Sequence, residues 1–406
     1  MQTRLADTYR DSLLGQEADK VLRSCVHCGF CNATCPTYQL LGDELDGPRG
    51  RIYQIKQVLE GARATASIQQ HLDRCLTCRA CETTCPSGVE YNTLLDIGRE
   101  LVEQQVPRPF LQRQYRRLLQ YIFGETRRVA FLLFFARLFR PLLPAAIKKR
   151  IPLADKLPPP PISSHARTML LLDGCVQPAA SPQINSSAIE VFDRLDINLR
   201  IIPEAGCCGA LHHHLSDNDA ARQRARANID AWWPSVQQGA EAIVVTASGC
   251  APMVKSYGQL LSRDGQYAQR ATRISAMTRD ISEVLRDEDM SGLKADNTGR
   301  IAFHSPCSLQ HAQQLDGVVE ALLKAVGYTL VPVRDAHLCC GSAGTYSILQ
   351  AELAKRLRSR KLESLQEKHP ELIATANIGC LLHLQQESEI PVRHWIELLA
   401  STWRNR

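Results

Sequence analysis

Two runs of four cysteines with one spacing occupy the first hundred residues: Cys25, Cys28, Cys31 and Cys35, then Cys75, Cys78, Cys81 and Cys85. In each run two residues separate the first three thiols, three precede the fourth, and a proline follows, Pro36 or Pro86. A cube of iron and sulfide needs four thiolates at tetrahedrally disposed corners; three closely spaced cysteines wrap one face, and the fourth must come from elsewhere. Zinc ribbons instead use two Cys-x2-Cys pairs per ion and have no use for the third cysteine or the proline. The pattern therefore points to two [4Fe–4S] clusters held by a small domain that is built around them.

In two-cluster ferredoxins of bacterial type, which share this spacing, the fourth thiolate of each cluster comes from the other motif. On that basis one cluster is expected on Cys25, Cys28, Cys31 and Cys85, and the other on Cys75, Cys78, Cys81 and Cys35. Gly29, Gly88, Ala33 and Ala80 would let backbone N–H groups approach the sulfides, and His27 and Arg79 sit inside the loops, where charge bears on potential. Two clusters this close make a short electron wire, and neither motif supplies an acid–base pair.

The chain has 406 residues and sixteen cysteines, enough length for two or three domains. Met1 to Gly15 lacks the apolar core of a secretory signal, so the thiols are read as ligands in a reducing compartment, with disulfides last. The net charge of +6 is unevenly spread: from Arg108 to Arg150 eleven Lys or Arg face one acid, Glu125. The longest apolar run there, Val129 to Phe135, falls well short of the roughly 20 residues of a spanning helix. Cationic residues alternating with Leu, Phe, Tyr and Ile suit an amphipathic helix on an anionic membrane or an acidic partner; the plainer account packs Phe131, Leu132, Phe134 and Phe135 into the protein's own core or a subunit interface. No nucleic-acid fold surrounds the segment, and nucleic acid is not an expected partner.

The Pro-rich stretch Leu157 to Pro161 marks a boundary. Before it, Asp43 to Ala66 and Tyr91 to Gln105 read as helices. After it the cysteines repeat: Cys175, Cys207-Cys208-Gly209 and Cys250 are matched by Cys307, Cys339-Cys340-Gly341 and Cys380. The first gap is 32 positions in both copies, the second 42 against 40. In the first copy, strands are expected at Thr168 to Leu172, Leu199 to Pro203 and Ala242 to Thr246, with helices at Ser187 to Leu195 and Asp217 to Trp233, the alternation of a parallel α/β sheet. Each cysteine element follows a strand, where open parallel sheets bind ligands.

The expected architecture is multidomain α+β: an all-α ferredoxin-type domain at 1–105, a basic helical segment and linker at 106–166, and two duplicated α/β cysteine-rich Cys-Cys-Gly (CCG) modules at 167–290 and 298–406. The cysteines at 175, 207, 208, 250, 307, 339, 340 and 380 (Cys175, Cys207, Cys208, Cys250, Cys307, Cys339, Cys340, Cys380) are candidate ligands for a further iron–sulfur cluster or zinc; the bland alternative is small buried hydrophobes. His212, His213 and His214 have no counterparts in the second copy, where Thr345, Tyr346 and Ser347 stand, and read as a solvated helix start. His304, His311 and His337 could donate hydrogen bonds to nearby thiolates.

With these residues in view, the chain resembles the iron–sulfur subunits of bacterial glycolate oxidase (glycolate dehydrogenase). The resemblance covers nearly the whole length and includes Cys25-Val26-His27-Cys28-Gly29-Phe30-Cys31, the segment Gly42 to Tyr53, and His394-Trp395-Ile396-Glu397. It implies an electron-transfer subunit without a catalytic residue of its own: partner flavoprotein subunits would oxidise glycolate to glyoxylate, and this chain would pass electrons to quinone or another membrane acceptor from the cytoplasmic face of the inner membrane. The chain is also similar to iron–sulfur subunits of anaerobic glycerol-3-phosphate and lactate dehydrogenases and to heterodisulfide reductases. It departs from the last, whose modules end in Cys-x-x-Cys, because Met253 and His383 follow Cys250 and Cys380, and Ser305 stands where relatives can have a cysteine. No Gly-rich dinucleotide fingerprint is found, so any flavin belongs to a partner.

Overall fold

The computed structural model describes residues 1–144, 148, 151–152, 163–290, 292 and 299–404; the Pro-rich stretch expected as a boundary lies outside them. The chain forms two compact units, Met1–Arg116 with His337–Lys361, and Arg117–Ala336 with Leu362–Arg406.

The first unit is helical among its described residues. Ser12 opens the helix Leu13–Ser24 by accepting from the Gly15 N–H, and Thr65 opens Ala66–Asp73 by accepting from Ile68. The segment expected as one helix from Asp43 is divided into a 3₁₀ turn, Glu44–Asp46, and the helix Pro48–Leu59. Gly47 is extended between them, as a residue preceding proline is biased to be, and Pro48 then occupies the first helical position. The helix Tyr91–Gln105 has the bounds read from the sequence. Gly98 lets it approach Pro48–Leu59, since a Cβ there would fall 2.5 Å from the Ile55 side chain. Leu22, Ile55, Leu59, Leu72, Leu94 and Leu95 fill the core, and Cys25, Cys75 and Cys81 are part of it.

The second unit holds two four-stranded parallel sheets. In the first, β1 (Arg167–Leu171), β2 (Ile197–Ile201), β3 (Ile243–Val245) and β4 (Thr278–Asp280) lie in the order β2-β1-β3-β4. In the second, β5 (Arg300–His304), β6 (Thr329–Leu330), β7 (Leu372–Thr375) and β8 (Val392–His394) lie as β6-β5-β7-β8. The two orders are the same, so the cysteine repeat is a repeat of topology. In each sheet the order reverses between the first and third strands, and ligands of open parallel sheets sit outside the carboxyl ends at such a point. Cys175 follows β1 and Cys250 follows β3; Cys307 and Cys380 follow β5 and β7.

The strands β4 and β8 do not show in the hydrophobic pattern, being three residues long with an exposed middle residue. Asp280 betrays β4 indirectly: with Glu283 it forms the capping box of the next helix, Ile281–Asp287. The two sheets join within this unit. The Ser248 N–H donates to the Ala376 carbonyl at 3.1 Å, and the Gly249 N–H donates to Asn377 Oδ1 at 3.3 Å. His394 at the end of β8 donates from Nε2 to the Thr246 carbonyl beyond β3 at 3.0 Å and accepts at Nδ1 from the Ile396 N–H.

His394 is fully buried, and burial pulls its pKa down to about 4, against the Thr246 and Ala376 carbonyls that favour the proton. The unfolded chain, with an ordinary histidine near 6.5, therefore takes up a proton that the folded one refuses between pH 6.5 and 4. Stability from this group is complete above pH 6.5 and falls as the pH drops, by about 2 kcal/mol at pH 5. Urea unfolding of wild type and His394→Gln at pH 7 and 5 should show the variant losing less stability on acidification; parallel losses would exclude His394 as the source.

Candidate metal centres

Each cysteine loop of the first unit winds through the left-handed region at the same two places. His27 (φ 61°) and Gly29 (φ 87°) flank Cys28, and Thr77 (φ 55°) and Arg79 (φ 62°) flank Cys78. Side-chain-bearing residues adopt this conformation at a cost, and its recurrence shows that the turn is imposed by the need to face three thiols inward. Short helices, Phe30–Ala33 and Ala80–Thr83, follow, and then Cys35 and Cys85.

Cys25, Cys28, Cys31 and Cys85 line one cavity, and Cys81 also reaches its wall. The Cys31 thiol is pushed up to about 11, first by burial and then by the charges of Cys25, Cys85 and Cys28. Burial likewise raises Cys81, with Cys78, Cys75 and Cys35 adding to it. The structure thus places the eight thiols in two groups, each with its fourth member from the other loop. Soft sulfur donors, four to a group, fit iron–sulfur cubanes.

The two groups differ in surroundings. Cys28 is exposed and the neighbouring Val26 and Phe30 are 68% and 61% exposed, whereas Cys35, Cys75, Cys78 and Cys81 are all buried. Around the buried group the Tyr91 hydroxyl donates to Cys75 Sγ at 3.7 Å, and Cys35 Sγ lies 3.2 Å from Thr37 Oγ1. Arg51, only 1% exposed, donates to the His71 carbonyl at 2.8 Å and to Thr37 Oγ1 at 3.3 Å, with the Asp46 carboxylate at 3.5 Å. His71 and Arg74 take the remaining capacity of Asp46, at 2.9 and 2.8 Å. Burial opposes the Arg51 charge, yet Cys75, Tyr91, Cys35 and Asp46 hold its pKa above the ordinary arginine value. A fixed cation so placed offsets the negative charge of thiolates at this site.

The first CCG module gathers Cys175, Cys207, Cys208 and Cys250. Gly209, at φ 91°, turns its N–H back onto Cys207 Sγ at 3.5 Å. Hydrogen bonds from Cys175 and Cys208 also fall on Cys207 and hold its pKa well down; Cys175 and Cys208 are raised, first by those bonds and then by burial, and Cys208 is bonded to Cys250 as well. Four facing sulfurs, with Cys207 the one whose ionisation its neighbours favour, suit a soft cation, as iron–sulfur or zinc. The turn is clamped by two residues that the sequence pattern did not single out. Asn228 Nδ2 donates to the Cys207 carbonyl and Tyr257 Oη to the Cys208 carbonyl, at 3.0 and 2.8 Å. A polar Asn on the buried face of a helix, Asn218–Gln237, was the available signal.

His212 is not the solvated residue expected. It is buried in the short helix after the turn, near Cys207, and among the described residues neither ring nitrogen has a hydrogen-bond partner. Gly124 provides the space: a Cβ there would come within 2.9 Å of the ring. Sequence repetition hid this, since the second copy has Thr345. His213 instead bonds Asn218 Oδ1 at 2.9 Å.

In the second module the same turn recurs, Gly341 at φ 90° directing its N–H to Cys339 Sγ at 3.4 Å. Its cysteines are divided between the units, however: Cys339 and Cys340 belong to the first, Cys307 and Cys380 to the second. Within the first unit Tyr346, just beyond the turn, donates from its hydroxyl to the Arg74 carbonyl at 3.2 Å, one residue before Cys75. Within the second, Asn377 Nδ2 donates to Cys380 Sγ at 3.5 Å. His304 is buried at the end of β5, His311 lies in the turn after Cys307, and His337 falls in the first unit.

Comparison with known proteins places this arrangement. A family model described as a 4Fe-4S dicluster domain matches residues 21–89, and one described as a cysteine-rich domain matches residues 169–255 and 301–385. The chain is 51% identical over 400 residues, 98% of each chain, to the glycolate oxidase iron-sulfur subunit of Escherichia coli (strain K12). The chain belongs to that iron–sulfur subunit family. It is 28% identical to the probable glycolate oxidase iron-sulfur subunit of Bacillus subtilis (strain 168), over 90% of this chain and 88% of that one. Lactate utilization protein A of Geobacillus thermodenitrificans (strain NG80-2) is similar over half of this chain, at 29% identity. The subunit therefore carries a two-cluster [4Fe–4S] domain and two cysteine-rich domains, the equipment of an electron-transfer component of an oxidoreductase.

Asp46→Ala would strand Arg51 in the interior without its carboxylate. Loss of one partner of a buried ion pair costs about 3–5 kcal/mol. Chemical denaturation of the holoprotein should show a loss of that order and earlier bleaching of cluster absorbance; a change within about 0.5 kcal/mol, the level of an ordinary surface substitution, would exclude the pair as a support.

Proposed function

We propose that this chain is the electron relay of a complex that oxidises glycolate to glyoxylate, taking electrons from a separate flavoprotein and passing them towards quinone at the cytoplasmic face of the inner membrane. The observation that carries the reading is the crossed grouping of eight thiols: Cys25, Cys28, Cys31 and Cys85 as ligands of one cluster, and Cys75, Cys78, Cys81 and Cys35 as ligands of the other. Bound there, two [4Fe–4S] clusters supply one-electron carriers.

The protein's own residues give the relay its polarity. The loop of Val26, Cys28 and Phe30 is the open edge and serves as the docking point for the flavoprotein. The buried group, beside Arg51, leads onward to the Cys339–Cys340 turn, just beyond which Tyr346 bonds the Arg74 carbonyl. Cys175, Cys207, Cys208 and Cys250 hold a further metal–sulfur centre in the first CCG module, with the His212 imidazole, which makes no hydrogen bond among the described residues and has Asp217 4.0 Å from Nδ1, available to a group bound there. The similarity to glycolate oxidase iron-sulfur subunits over nearly the full length supports glycolate as the substrate of the partner.

Reconstituted chain should hold about eight irons in the two cubanes, and Cys85→Ser or Cys35→Ser should each remove about four. Glycolate should reduce the clusters, read by EPR, only when the flavoprotein is present. Phe30→Asp should slow that reduction while leaving reduction by dithionite unchanged. Equal quinone reduction by the flavoprotein alone would overturn the relay, and equal rates for Phe30→Asp would move the docking point elsewhere.

A further inference from the structure

Within the second unit the helix Thr126–Leu138 is unusually poor in packing. Its buried residue, among those described, is Val129. Polar ties hold it in place: Thr126 Oγ1 donates to the Gly174 carbonyl at 3.0 Å, and Arg137 donates to the carbonyls of Pro152 and Ala179 at 2.9 and 3.2 Å. Among the described residues the core packing expected for its phenylalanines is not found. Phe131, Phe134, Phe135 and Leu138, then Phe139 and Leu142 in the 3₁₀ turn that follows, are between 39% and 82% exposed.

Their spacing from Phe131 is 3, 4, 7, 8 and 11 residues, the periodicity of one helix face. The rings touch along that face: Phe131 and Phe134 meet Phe135 at centroid distances of 4.8 and 5.4 Å, and Phe135 stacks on Phe139 at 6.4 Å. The result is a continuous aromatic ridge from Phe131 to Phe139, about 12 Å long at 1.5 Å of rise per helical residue, which Leu142 extends. Soluble proteins rarely leave such a surface in water.

The charge around the ridge says what covers it. From Thr126 to Pro144 there are four arginines and no acid. Arg127 and, in the preceding helix Phe110–Phe123, Arg117 are exposed; Arg140 lies at the far end; Arg128 is stacked 3.6 Å over the Tyr121 ring. Exposed aromatics in a row, with arginines towards both ends and no acid among them, fit a surface that meets anionic lipid. Among the described residues no helix is long and apolar enough to cross a membrane.

We propose that the ridge Phe131–Leu142 is the element by which this subunit docks on the surface of an anionic lipid bilayer, its rings entering the acyl boundary and Arg117, Arg127 and Arg140 meeting headgroup phosphates. The inference rests on the proposed delivery of electrons to a membrane acceptor and supplies the surface that brings the subunit there.

The test is flotation of the full-length holoprotein with vesicles of phosphatidylglycerol and phosphatidylethanolamine, and with phosphatidylcholine alone. Binding is expected to the anionic vesicles and to weaken at about 0.5 M salt. The exposed triple substitution Phe131→Ser, Phe134→Ser, Phe139→Ser should lower binding at least about tenfold while cluster absorbance and the far-UV spectrum stay unchanged. Arg127→Glu with Arg140→Glu should abolish the preference for anionic lipid. Equal flotation of the triple variant, or no flotation of wild type, overturns the proposal. So does a wild-type dimer that the triple variant converts to monomer, or a triple variant that loses the flavoprotein and keeps the vesicles. Reduction of a water-soluble quinone analogue by the glycolate-reduced complex separates the two readings: intact reduction without vesicle binding leaves the relay standing and removes the docking helix, whereas vesicle binding without quinone reduction does the reverse.

Discussion

Anionic sulfur has to be concentrated at a few points away from water, and both units are shaped by that requirement. Burial alone drives thiols to stay protonated, as at Cys31 and Cys81. Compensation comes from donors and cations built into the backbone and core: the left-handed turns at His27, Gly29, Thr77 and Arg79, the Gly209 and Gly341 N–H groups aimed at the first cysteine of each Cys-Cys-Gly turn, and Arg51 sealed beside Cys35 and Cys75. Asp46, Thr37 and His71 in turn hold Arg51, whose charge lies close to Cys75 and Cys35.

Duplication supplies the parts, and departures from it supply direction. The two loops of the first unit share their dihedral pattern, yet one is open at Cys28 and the other closed. The two CCG sheets share strand order, yet the first collects its four cysteines in one compact unit while the second divides them between two. An electron carrier needs inequivalent ends, and here the inequivalence arises from what surrounds each copy.

Much was legible in advance because the chemistry is written in fixed spacings. Cys-x2-Cys-x2-Cys-x3-Cys-Pro constrains loop geometry strongly, the 32-position gap exposed the repeat, and helix Tyr91–Gln105 followed from propensity and pattern. Other features resisted for definable reasons. Gly47 and Pro48 broke a helix that composition alone would have run through from Asp43. β4 and β8 are too short to carry a period. His212 looked like one of three solvated histidines because its burial depends on Gly124, nearly ninety positions earlier. Asn228 and Tyr257 became visible only through the carbonyls they hold.

The sequence by itself determined the inventory: two cubane motifs, a doubled Cys-Cys-Gly module, and a cationic, phenylalanine-rich segment between them. These follow from local spacing and composition, which any chain carries whatever its fold. Tertiary structure decided the exposure and realised the crossed grouping that the motif spacing implied. It brought Cys85 to the loop of Cys25 and Cys35 to that of Cys75, set Arg51 in the interior, and left the face of Phe131, Phe134 and Phe135 in solvent. Which side of a helix is covered, and whether a charge is sealed inside, depend on contacts between distant segments, and no local pattern encodes them.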